Sequence, residues 1–122
     1  MTIKNLLEIR AGLVALNEVS GALSAKSKWN LARNLQRVGE VWKTFEQKKG
    51  EIVKAAAEGA DSIDRGHPAY AKVVAEVNGL LEVEDDVKLL HFDFADVIRD
   101  DVALKASDAM LIESLLDGTP AE

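Results

Sequence analysis

The chain contains no cysteine, which excludes disulfides and thiolate metal sites. Aromatic residues are scarce, at 5% of 122 positions, so Leu, Val and Ala must build most of the core. No apolar run approaches the ~20 residues that a membrane-spanning helix needs. The first ten residues carry charges and lack the layout of a secretory signal. Glycine-rich phosphate loops, nucleophile elbows and Cys/His pairs are all missing. Ser20 and Ser62 have no base nearby in sequence, so nucleophilic catalysis has no candidate and the expectation is a protein that is not an enzyme.

The two histidines, His67 and His91, lie far apart, with Asp64 and Asp93 beside them. No metal-ligand spacing joins them, and neither a metal nor any other cofactor is implied. His67 reads as a loop or cap residue and His91 as the outward residue of a strand. Glu82, Glu84, Asp85 and Asp86 form an acidic cluster. It lacks the spacing of a calcium loop, as does Asp61 to Gly66, so the cluster reads as a solvated turn.

What the chain does have is a long heptad seam. Leu31, Leu35, Val38, Trp42, Phe45, Ile52 and Ala56 recur at coiled-coil steps, with Lys49 in the one slot left out. The seam predicts a helix of about 30 residues, roughly 45 Å long at ~1.5 Å per residue. Gly39 and Gly50 each weaken it by roughly 1 kcal/mol relative to Ala. Gly39 would permit a close helix approach. The apolar phase resumes on register at Ile52, so the helix is read through Gly50, with a C-cap there as the alternative.

Ahead of it, Thr2 can cap a first helix whose apolar stripe is Ile3, Leu6, Ile9, Leu13 and Leu16. Ser20-Gly21 breaks that helix, and Ser24 or Ser27 can cap the long one. The short link predicts an antiparallel αα-hairpin. Gly59 to Pro68 reads as a loop. Tyr70, Val73, Val74, Val77, Leu80 and Leu81 then form the apolar face of a third helix ending at Asn78-Gly79. From Leu81 to Phe94 the period changes to two, which predicts a two-stranded hairpin turning at Asp85-Asp86. Ser107 or Asp108 would cap a short last helix carrying Met110, Leu111, Ile112 and Leu115.

The fold class is therefore mainly α (α+β), in one domain over 1–122. Residues 1–58 form the helical hairpin, 59–118 an acidic α/β cap and 119–122 a frayed tail. The first helix covers only half of the long one, so Trp42, Phe45 and Ile52 are candidates for self-association in a homodimer. The third helix is the alternative cover, through Val73, Val77 and Leu81.

Charge is divided along the chain. Residues 26–54 hold eight basic and three acidic residues, while 55–122 hold five basic and sixteen acidic ones. Lys26, Arg33 and Arg37 fall on one helix face with Trp29 beside them, a pattern able to track phosphates or an acidic surface. The overall charge of −6 argues against nucleic acid and for a protein partner. The acidic set, Glu82, Glu84, Asp85 and Asp86, is the second candidate surface, able to imitate phosphates toward a nucleic-acid-binding protein.

The order of features also carries a family likeness. A short Leu-rich helix leads into Lys26-Ser27-Lys28-Trp29-Asn30-Leu31-Ala32-Arg33-Asn34. A long charged helix with the pair Phe45-Glu46 follows, then an acidic β-like segment and a closing helix. From Leu6 to Leu116 this resembles a group of small phage and prophage proteins of uncharacterised function. The resemblance implies a phage setting, in the virion or the host cytoplasm. The role would be virion assembly or, alternatively, inhibition of a host defence or nucleic-acid-binding protein. It supplies no catalytic residues.

Overall fold

The computed structural model describes residues 1–57 and 64–118. Its organising element is a single long helix, with the other segments laid along it. Helix α1 spans Ile3–Glu18, and Thr2 Oγ1 accepts the Asn5 N–H at 3.1 Å as its N-cap. All five residues of the expected stripe, Ile3, Leu6, Ile9, Leu13 and Leu16, are buried. A 3₁₀ turn at Ser20–Ala22 reverses the chain. Ser24 then caps helix α2, Ala25–Ala56, by accepting the Ser27 N–H at 3.2 Å. At 32 residues α2 runs unbroken through Gly39 and Gly50, about 48 Å at ~1.5 Å per residue.

The buried face of α2 is Ser27, Leu31, Asn34, Val38 and Phe45. That face is rotated from the seam expected of the apolar residues. Leu35 is half-buried, and Trp42 is 39% exposed beneath the Arg10 guanidinium, which lies 4.5 Å from the ring centroid. Asn34, a polar residue, holds the central core position.

Helix α3, Tyr70–Leu81, passes through Asn78-Gly79 rather than ending there. It lies along the distal part of α2, where Val73 shares a cleft with Ile52 and Ala56. Phe45, only 6% exposed, is buried within its own chain. It is therefore not available as a self-association surface.

The expected hairpin over 81–94 is replaced by two separate pairings. Val83–Asp85 pairs with the first residues of the chain. Ile3 N–H donates to Val83 O at 2.9 Å, Asp85 N–H donates to Met1 O at 2.8 Å, and Thr2 and Glu84 form an antiparallel bridge. Strand β1, Phe92–Asp93, lies parallel to β2, Leu116–Asp117, with Phe92 opposite Leu116. Two physical reasons account for this. The Asp85-Asp86 corner has no glycine for a tight hairpin turn. In addition, the Asp85 carboxylate accepts the Val87 N–H at 2.8 Å, a local turn that carries the chain onward.

After β1 come the single turn α4, Phe94–Val97, and the short helix α5, Ala106–Leu111. A 3₁₀ turn at Glu113–Leu115 then leads into β2. The α5 N-cap is Lys105, not Ser107 or Asp108, and it has no side-chain cap bond. Met110 points to solvent while Ile112 is fully buried. Helix α5 packs on α1 at Gly12, and a Cβ there would meet Ile112 Cγ2 at 2.7 Å. Gly39 has open space instead, so the close helix approach expected there occurs at Gly12. Leu6, Leu13, Leu16, Leu31, Val38, Phe92, Val97 and Ile112 form the centre of one core.

Candidate functional site

The first half of α2 has a buried face, a face tied to the chain that returns over it, and an open face. The tied face carries Asn30, Asn34 and Arg37. Arg37 Nη1 donates to Lys88 O at 2.7 Å. Asn34 Nδ2 donates to Leu90 O at 2.8 Å, and Asn34 Oδ1 accepts the Leu90 N–H at 2.7 Å. Asn30 Nδ2 donates to His91 O at 3.0 Å. Three side chains of one helix thus serve the extended segment 88–91 as a neighbouring strand would. A buried amide satisfied at both ends explains how Asn34 occupies a core position without penalty.

Arg37 belongs to this tied face, half-buried, and so leaves the basic set expected to meet a partner. The other three members remain outside. Lys26 and Arg33 are exposed, and Trp29 is 66% exposed. They follow one another at steps of three and four, hence along one face of α2. Arg33 Nη1 reaches Gln36 Oε1 at 3.3 Å, which leaves its charge unpaired among the described residues. The result is an aromatic ring between two cations on a rigid helix.

The acidic set is divided in the same way. Glu82, Glu84 and Asp86 are exposed, but Glu84 Oε2 lies 3.2 Å from the Met1 amino nitrogen. Asp85 is half-buried and spends Oδ1 on Val87. The two candidate sets meet only at their edges, where Arg37, Asp85 and Asp86 line one open cleft of about 380 Å³ floored by Phe45, Leu80 and Val87. Of the self-association residues, Trp42 alone keeps substantial exposure, Phe45 is buried, and Ile52 faces α3.

A further polar cluster, not anticipated from the sequence, fixes the start of α2. Asp96 Oδ2 accepts the Ser24 hydroxyl at 2.8 Å, and both of its oxygens take the Ser24 N–H at 3.3 Å. Arg99 approaches Asp96 at 3.5 Å, pairs with Asp101 at 2.8 Å and donates to Ala22 O. Burial pushes the Asp96 carboxyl up. Hydrogen bonds from Ser27 and Ser24, together with the Arg99 charge, outweigh that and hold it below the ordinary carboxylate value. A carboxylate at a helix N-terminus is also favoured by the helix dipole. These groups serve the fold.

His67 and His91 stay apart. His67 Nδ1 accepts the Ala69 N–H at 3.0 Å ahead of α3, and His91 Nδ1 lies 2.8 Å from Asp117 Oδ1 beside the β1–β2 pair. Among the described residues no three His, Asp or Glu side chains converge as metal ligands. No helix among the described residues is long and apolar enough to cross a membrane. No family model, curated protein or solved structure matches the chain.

Proposed function

We propose that this chain is a non-enzymatic, phage-type interaction protein. In this reading it binds an acidic surface of a protein partner through Lys26, Trp29 and Arg33, as a structural or assembly component of a virion. The single observation that carries this reading is Trp29. Trp29 is 66% exposed on a long helix, between two cations that have no ion partner among the described residues, and it lies outside the core. Exposed tryptophan and arginine are the residue types that dominate binding energy at interfaces. The phage setting rests on the resemblance over Leu6 to Leu116, with Lys26–Asn34 and Phe45-Glu46 as its motifs, and with it a location in the virion or the host cytoplasm. A second reading, inhibition of a host defence or nucleic-acid-binding protein, rests on the exposed carboxylates Glu82, Glu84 and Asp86.

Affinity capture from phage-infected cells separates the two. The first reading expects Trp29→Ala and Lys26→Glu/Arg33→Glu to lose the principal partner, while Glu82→Lys/Asp86→Lys keeps it. The second expects the reverse. Retention of every partner by all three variants overturns both. Arg37 is left unchanged in this design because it supports the fold.

A further inference from the structure

The segment 83–93 runs past three different neighbours, and Leu89 at its middle is unpaired among the described residues. Consecutive residues of an extended chain present their backbone groups to opposite edges. On the inner edge Lys88 and Leu90 are held by α2. The His91 carbonyl is also held by α2, through Asn30, and the Val87 N–H is taken by the Asp85 carboxylate, so the outer edge in this stretch is carried by Leu89. Val83 and Asp85 pair with Met1 to Ile3, and farther along β1 pairs with β2. Between these flanks neither the N–H nor the C=O of Leu89 has a partner among the described residues, and a groove of about 390 Å³ borders it. Its walls include Val87, Leu89 and Leu115, with Lys88 at the rim. The stretch 86–91 is roughly 20 Å long at ~3.3 Å per residue.

We propose that this gap accepts an extended peptide of a partner protein, paired with the N–H and C=O of Leu89, with a carboxylate toward Lys88. The hydrogen-bonding requirement of Leu89 specifies a backbone as the occupant, since an edge strand is satisfied by another strand. The inner-edge bonds from Asn34 and Arg37 hold the receiving strand extended in advance, so little ordering cost remains for binding. Lys88 has no ion partner among the described residues. The groove lining includes no Asp or Glu, which favours an acidic residue in the peptide. This surface is separate from the Lys26–Trp29–Arg33 face and does not depend on it.

The test uses the ¹⁵N-labelled full chain and the pentapeptide acetyl-Thr-Val-Glu-Val-Thr-amide. A control peptide carries N-methyl groups on the amides of one edge. In the free protein the Leu89 amide should exchange with solvent at least about tenfold faster than that of Leu90. The peptide should slow Leu89 exchange about tenfold and shift the resonances of residues 87–91. The methylated control should do neither, and Lys88→Glu should weaken binding about threefold, the scale of an exposed ion pair. Slow Leu89 exchange in the free chain overturns the proposal, because the edge would already be paired. So does equal binding of the methylated peptide, or no resonance shift at about 1 mM peptide.

Discussion

Replacing Asn34 by leucine separates two accounts of the long helix. By heptad logic Asn34 lies beside the seam, off the Leu31–Leu35–Val38 line, and Asn34→Leu should leave stability almost unchanged. In the structure Asn34 is fully buried and supplies both hydrogen bonds to the Leu90 backbone, at 2.7 and 2.8 Å. Leucine can supply neither. Each buried backbone group left without a partner costs about 1–3 kcal/mol, so the loss is roughly 2–5 kcal/mol. Extra apolar burial returns about 1–2 kcal/mol. The expected net is a destabilisation of roughly 2 kcal/mol, which for a chain of this size lowers Tm by about 8 °C. Urea unfolding followed by circular dichroism measures this directly. Asn34→Asp should be worse, because a carboxylate would face the Leu90 carbonyl where the amide now donates. A Tm for Asn34→Leu at or above that of the wild type would refute the role assigned to the amide and restore the apolar seam.

Gly12→Ala should destabilise by about 1–3 kcal/mol, because its Cβ would meet Ile112 Cγ2 at 2.7 Å and Asp108 O at 3.0 Å. Gly39→Ala, with no neighbour within 4 Å, should instead stabilise by about 0.5–1 kcal/mol. Paired thermal melts check both signs. The Asp96 carboxyl is held below its ordinary value of 3.8, so its contribution is complete above that value and is lost as pH falls through the lower folded-state value. Asp96→Asn should flatten the acid limb of the stability–pH curve, and an unchanged limb would count against the Ser24 and Arg99 contacts. Arg10→Ala should cost about 0.5 kcal/mol and expose the face of Trp42, read as a red shift in fluorescence. If Trp42 also mediates a homodimer, light scattering of Trp42→Ala should give a smaller mass than the wild type at equal concentration.

The helical part of the fold was legible because apolar spacing reports it directly. The stripe from Ile3 to Leu16 and the Thr2 and Ser24 caps stand where the pattern puts them. A reading that counts only apolar residues passed over Asn34 and gave its place to Leu35 and Trp42, on the flank of the buried face. The i, i+4 pair Asn30 and Asn34, one turn before Arg37, was the available signal: three side chains that can bond to a backbone, aligned along the apolar stripe. Alternation over 81–94 announced strands, of which the structure keeps the Glu84 bridge and Phe92–Asp93, while Leu81 closes α3 and Phe94 opens α4. It could not name partners, because alternation fixes which side chains face inward and leaves the pairing edge open. Nothing local to Phe92 specifies Leu116 across the intervening residues. Lys26, Trp29 and Arg33 were legible as an exposed face, whereas the structural duty of Arg37 depends on a carbonyl 51 residues away.

The ties between α2 and the returning segment also bear on how fast the molecule assembles. Asn34 meets Leu90 across 56 residues, Ser24 meets Asp96 across 72, and the Met1 amino group meets Asp85 across 84. Closing loops of these lengths costs conformational entropy that the α1–α2 hairpin, joined by a short turn, avoids. The hairpin is therefore expected to form first and the returning segment to dock after the principal barrier. Removing the Asn34 or Asp96 bonds should then accelerate unfolding while leaving the refolding rate almost unchanged. Over the lifetime of the native state, these few polar bonds would act chiefly as a brake on opening.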